Sequence, residues 1–346
     1  MNITVLTHLE KEGDKEHDVV VDQVARALRK NKHKVSILGI HADIKKLIGG
    51  LTRRKPDLVF NLMETFGPTQ MGAVGLVGLL DLLELRYTGG GPGEYYLQED
   101  KALTKKLLAF HNIAYPDFAV FSQSANLETG GSLRMPLIVK PLRMDASIGI
   151  DGKSLVRSTQ EMMERVLAIH KEIRDAALVE EYIDGREFYV GVLGNETPVA
   201  FPPIEMDFSR LAAGVPRILD GASKWDESSP QYQATEAIVA DLPDELRARL
   251  QKAATEAYRA LRVRDYGRID MRLTEAGEIS VIEVNASCYL EQSSEFATAA
   301  AAGGLSYPDL VERIIQEAVG RYETPANAST RRRKPARPRR QKAVAS

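Results

Sequence analysis

"GRIDMRLTEAGEISVIEVN", residues 267–285, reads as two strands folded back on each other around a tight turn at Ala276 and Gly277. If those two residues form a two-residue turn, Asp270 lies directly opposite Glu283 across the hairpin. Like charges so placed destabilise a strand pair unless a cation sits between them. Side chains alternate along a strand, so Asn285 shares the face of Glu283, and Arg268 shares the face of Asp270. Two carboxylates and an amide oxygen are hard ligands, suited to magnesium with water and phosphate oxygens completing its shell. The hairpin by itself leaves open an exposed face carrying unrelated charges.

Around this stretch the chain has the make-up of an ordinary globular protein. Its 346 residues, 44% hydrophobic and 27% charged, can bury a large core in two or three domains. The single cysteine, Cys288, excludes an internal disulfide. Met1 leads straight into strand-like "NITVLTHL", without the basic and apolar segments of a secretory signal, and no apolar run is long enough to span a bilayer. We expect a cytoplasmic protein with no membrane partner. The formal charge of −2 conceals an asymmetry, because "RRRKPARPRRQKAVAS" at the C-terminus holds eight Lys and Arg and no acid. Such a Pro-broken basic run buries too little apolar surface to fold, so residues 324–346 are expected to be a disordered tail. Its charge gives at most a loose attraction to nucleic acid.

Strand and helix patterns alternate through residues 1–95: "NITVLTH", "KVSILGI" and "PDLVFNL" between the helical "DVVVDQVARALRKN" and "AVGLVGLLDLLE". This order predicts α/β architecture opening on a Rossmann-like parallel sheet. The Gly/Pro break "YTGGGPGEYY" ends it, and residues 96–183 and 184–323 form second and third expected units.

A magnesium site with few protein ligands commonly serves a nucleotide, which also needs cations for its phosphates and acceptors for its base and sugar. Lys140 ends the apolar strand "PLIVKPL" before the small-residue loop "RMDASIGIDG". Lys101 opens a helix and Lys224 lies in "GASKW", while "LVEEYIDGREF" supplies Glu180, Glu181 and Glu187. Taken singly, each of these residues suits a solvated surface.

Together, "PLIVKP", "DASIGI", "LVEEYIDGREFYVGVLG", "GRIDMRL" and "VIEVN", in this order and spacing, resemble the ATP-grasp carboxylate-amine ligases, specifically their D-alanine–D-alanine ligase-like branch. The likeness covers about residues 1 to 320 and implies a three-domain ATP-grasp fold. By this resemblance Lys101, Lys140 and the phosphate-loop Ser147 bind ATP phosphates, and Lys224 the γ-phosphate. Glu180 takes the adenine, Glu181, Tyr182 and Ile183 line the base pocket, and Glu187 holds the ribose. Asp270, Glu283 and Asn285 would hold two magnesium ions, with manganese as the alternative. Glu16, in "GDKEHDVVV", matches the family's contact to the first substrate's amino group, and Ser294 its contact to the second substrate's carboxylate. The implied reaction joins two amino-acid-like substrates through an acyl phosphate, with Arg268 stabilising the tetrahedral oxyanion. A homodimer would fit the family's habit. The alternatives are a dipeptide or natural-product ligase with another substrate pair, and an ATP-binding regulatory protein that has lost catalysis.

Three departures from the family pattern bear on the substrate. "NLMETFGPTQMGAVG" has Met63 and Glu64 near the place of the family's histidine. Cys288 and Tyr289 stand where the family has a small Pro-Gly, and Ala146 replaces a substrate-side serine in the phosphate loop. No histidine neighbours Cys288 in sequence, which argues against a nucleophile there.

Overall fold

Period-two and period-3.6 patterns become three sheets with their covering helices. The computed structural model describes residues 1–323 except 15, 69, 70, 125, 126, 145, 146, 213 and 227. The basic tail and Ala146 therefore lie outside the described residues.

The first sheet comprises β1 (Asn2–His8), β2 (Lys34–Ile40) and β3 (Leu58–Leu62), all parallel with β1 in the middle, as the alternating pattern predicts. Its helices are α1 (Val19–Lys30), α2 (Ile44–Arg54) and α3 (Gly72–Leu82). Asp18 caps α1 by accepting from the Val20 amide, and Val20, Val24 and Leu28 recur every fourth residue to bury one stripe.

Helices α4 (Pro92–Glu99) and α5 (Lys101–Phe110) lead into an antiparallel sheet of β4 (Phe118–Phe121), β5 (Leu127–Gly130), β6 (Leu137–Pro141), β7 (Leu155–Val156) and β8 (Ala177–Glu181). Strand β8 lies between β4 and β6, and α6 (Thr159–Ala168) packs against β6.

The third sheet contains β9 (Arg186–Leu193), β10 (Val199–Ala200), β11 (Ile204–Asp207), β12 (Glu236–Val239), β13 (Tyr266–Leu273) and β14 (Ile279–Asn285). Short helices α7 (Gly221–Trp225) and α8 (Pro230–Gln233) precede β12, and α9 (Asp244–Ala260) covers one face with Leu250, Ala254, Ala257 and Tyr258. Helices α10 (Glu295–Ala302) and α11 (Tyr307–Glu323) turn back to the first sheet. Phe296, Leu310 and Ile314 share one core with Ile3, Phe60 and Val24, which fixes the third sheet against the first.

The hairpin corrects the expected turn while keeping the expected pair. Its loop has three residues, Glu275 to Gly277, closed by the Thr274 amide donating to Glu278 O at 2.9 Å, with Gly277 at φ +82°. From that loop Leu273 faces Ile279, Arg272 faces Ser280 and Met271 faces Val281. A one-residue bulge at Ile282 then shifts the register, so that Asp270 faces Glu283 after all. The bulge has a packing cause. Val281 and Val284 are three residues apart yet both enter the core beneath α9, which strict alternation forbids. Ile269, Met271 and Leu273 fill the same core, so Arg268, Asp270, Glu283 and Asn285 share the opposite face.

Candidate active site

On that face the charges are tightly organised. Asp270, 3% exposed, accepts two hydrogen bonds from Arg268, Nε to Oδ1 at 2.7 Å and Nη2 to Oδ2 at 2.8 Å. The Asn285 amide nitrogen donates to Asp270 Oδ2 at 3.2 Å, which leaves its carbonyl oxygen as the group's acceptor. Glu283 lies 3.6 Å from Lys101 Nζ, and Arg268 also reaches Glu295 at 3.3 Å. Burial works against the Arg268 charge, yet Asp270 and Glu295 hold its pKa well above the ordinary value. For Asp270, burial outweighs Arg268 and raises the pKa. Burial would also raise Glu283, but Lys101, Lys140, Lys224 and Arg268 together hold it low.

This set fits a hard divalent cation chemically, since two carboxylates and a free amide oxygen are all oxygen donors. Among the described residues no group of three or more His, Cys, Asp and Glu gathers to hold a metal. An ion bound here would therefore complete its shell with water or phosphate oxygens.

The antiparallel sheet brings a second group to the same region. Lys101, the first residue of α5, donates to Met144 O at 2.8 Å. Lys140 on β6 sits 3.1 Å from Glu180 Oε1 on β8. Burial would raise the Glu180 pKa, and Lys105 and Lys140 beside it hold it below the ordinary value. Glu181 ends β8, and Tyr182 and Ile183 begin the link to β9, with the Glu181 and Tyr182 amides donating to Asp117 O and Pro136 O. Glu187 is buried in an ion pair with Arg272 and accepts from the Tyr189 hydroxyl at 2.9 Å. Ser147 sits at φ +60° and donates its hydroxyl to Leu219 O at 2.7 Å. Lys224, on α7, acts electrostatically on both Asp270 and Glu283.

A cavity of about 870 Å³ opens beside the hairpin, lined by Glu16, Asn61, Met63, Glu64, Cys288 and Tyr289 among others. Its walls come from the first sheet and from the loop after β14, joined where the Tyr289 hydroxyl donates to Asp18 at 2.6 Å. Burial pushes the Cys288 thiol far up, which suits a packing residue rather than a thiolate. Ser294 stands apart from the cavity lining: it is the N-cap of α10, accepting from the Ala297 amide at 3.3 Å.

Sequence reasoning missed Lys105, Arg272 and Asp18. Lys105 is 1% exposed and lies 3.4 Å from Glu180 Oε1. Its signal was available, since it follows Lys101 by one helical turn on the face that also buries Thr104 and Leu108. Arg272 continues the alternation of Arg268 and Asp270 along β13. For Asp18 no local signal exists beyond its capping position, because Tyr289 is 271 residues away.

The family model described as D-ala D-ala ligase C-terminus matches residues 107–316. A D-alanine–D-alanine ligase of Carboxydothermus hydrogenoformans is 31% identical over 303 residues, covering 85% of this chain and 90% of that protein. That of Bordetella petrii is 35% identical over 256 residues, 73% of this chain and 74% of the other. A crystal structure of the Bacillus anthracis D-alanine–D-alanine ligase shares the fold at a TM-score of 0.73 and 23% identity, covering 92% of this chain and 98% of that one. With its hairpin of paired acids beside a buried lysine group, the chain belongs to the D-alanine–D-alanine ligase family, ATP-dependent ligases that form a carbon–nitrogen bond.

Proposed function

We propose that this chain joins two amino-acid-like substrates as an amide at the expense of ATP, with the three sheets marking units at 1–95, 96–183 and 184–323. The observation that supports it most is the meeting of Arg268, Asp270, Glu283, Asn285 and Lys101 on one face, next to a cavity large enough for amino acids. Lys101, Lys140, Ser147 and Lys224 would bind the triphosphate, Glu180 to Ile183 the adenine and Glu187 the ribose. A carboxylate oxygen of the first substrate attacks the γ-phosphorus, the bond to the bridging oxygen breaks, and ADP leaves an acyl phosphate. The amine of the second substrate then attacks the carbonyl carbon, orthophosphate departs, and the nitrogen loses a proton. Asp270, Glu283 and Asn285 would hold two magnesium ions, or manganese, which when bound neutralise charge on the phosphate oxygens. In this reading Arg268 would stabilise the oxyanion, Glu16 hold the first substrate's ammonium group, and Ser294, outside the cavity lining at the N-terminus of α10, meet the second substrate's carboxylate.

The substrate pair is expected to differ from two D-alanines. Met63 and Tyr289 put a thioether and a phenol where the family places polar or small groups, and Tyr289 is already committed to Asp18. A lost hydrogen bond to substrate can cost about 10⁴ in discrimination, far more than a change of apolar fit. Phosphate release and amide product should be followed over a panel of L- and D-amino acids and small dipeptides. D-alanine alone is expected to fall at least about tenfold below the best pair in kcat/KM. Top efficiency with D-alanine alone would overturn the substrate argument, and no turnover with any pair would overturn the ligase reading.

A further inference from the structure

Lys105 is the least exposed lysine near the site, yet the proposed reaction gives it no task. It sits on α5 one turn beyond Lys101, and its ammonium group contacts a strand of each antiparallel sheet. Its Nζ lies 3.4 Å from Glu180 Oε1 on β8 and donates to Ile282 O, the bulge residue of β14, at 3.4 Å. The same Glu180 oxygen is 3.1 Å from Lys140 Nζ. One buried carboxylate thus serves two ammonium groups, and the lysine that joins the sheets touches the bulge that turns Glu283 toward Asp270.

A buried carboxylate left without a counter-ion is strongly unfavourable. Lys140 can turn from Glu180 to an anionic ligand only if Glu180 keeps another partner. Lys105 is that partner, and its tie to Ile282 keeps it in place. We propose that Lys105 is a positioning residue for the nucleotide: it remains the standing counter-ion of Glu180 and anchors the β14 bulge, so that Lys140 is free to meet the phosphates. This rests on the reading of the site as an ATP site, and extends it to a residue that does not touch the ligand.

The test is equilibrium titration of the full chain with a fluorescent ATP analogue, with and without magnesium, alongside thermal unfolding and steady-state kinetics. Lys105→Met should fold and weaken nucleotide binding by at least tenfold, raising the KM for ATP while kcat at saturating ATP changes less than threefold. Combined with Glu180→Gln, which removes the charge Lys105 serves, the same substitution should alter the Kd by less than twofold relative to Glu180→Gln alone. Unchanged binding in Lys105→Met overturns the proposal, as does an equal loss in both backgrounds. If Lys105→Met does not fold, the double variant decides: nucleotide binding within twofold of Glu180→Gln supports the counter-ion role, and failure of both to fold overturns it, marking Lys105 as a residue of the core. Should the unmodified protein not bind the analogue, the ATP-site reading itself fails, a result separate from any effect of Lys105.

Discussion

Glu283→Ala should lower turnover by at least about a thousandfold while the protein remains folded, the loss expected when several kcal/mol of charge stabilisation around a transferring phosphoryl group disappear. Glu283 is singled out by its surroundings. Both oxygens of Asp270 are already taken by Arg268, whereas Glu283 has, among the described residues, one ion pair at 3.6 Å and is held ionised by the lysines around it. Removing it takes away the most available hard oxygen ligand and also the carboxylate 3.6 Å from Lys101. Glu283→Gln separates the two effects, since it keeps the shape and one oxygen but loses the charge. The measurement is phosphate release with the best substrate pair, with circular dichroism and thermal unfolding as the check on folding. Near-unmodified turnover from a folded Glu283→Ala protein would remove the metal role from this residue.

The largest expected loss of stability lies away from the chemistry, at Asp265. This residue is fully buried and accepts from the Gly89 amide at 2.8 Å, from Asn195 Nδ2 at 3.1 Å and from Arg321 Nη2 at 2.9 Å. It stands one residue before β13, so it joins the strand that carries Arg268 and Asp270 to the Gly89 turn and to α11. Breaking one partner out of a buried ion pair costs about 3–5 kcal/mol, because the other charge stays buried. Asp265→Ala should therefore lower the melting temperature by on the order of 10 °C. Asp265→Asn should lose less, since it retains an acceptor and tolerates the φ of +65° found here. A fall below about 3 °C in Asp265→Ala would mean that Arg321 finds other compensation.

The sequence alone carried the residue types and their faces. The period-two run of β13 put Arg268 and Asp270 together, the alternating patterns foretold the parallel first sheet, and the ordered motifs pointed to the family. These features are local, or depend on order along the chain, and so can be read without coordinates. Tertiary packing decided the rest. Asp270 meets Glu283 because a three-residue loop and a bulge offset one another, and the bulge exists because Val281 and Val284 must both reach the core under α9. Alternation within one strand cannot reveal that demand. The pairing of Lys105 with Glu180 and of Tyr289 with Asp18 links segments tens to hundreds of residues apart, and each lysine or tyrosine taken singly suits an exposed surface. Only folding, which removes water from around them, makes a counter-ion compulsory for Glu180 and so turns an unremarked helix lysine into part of the candidate site.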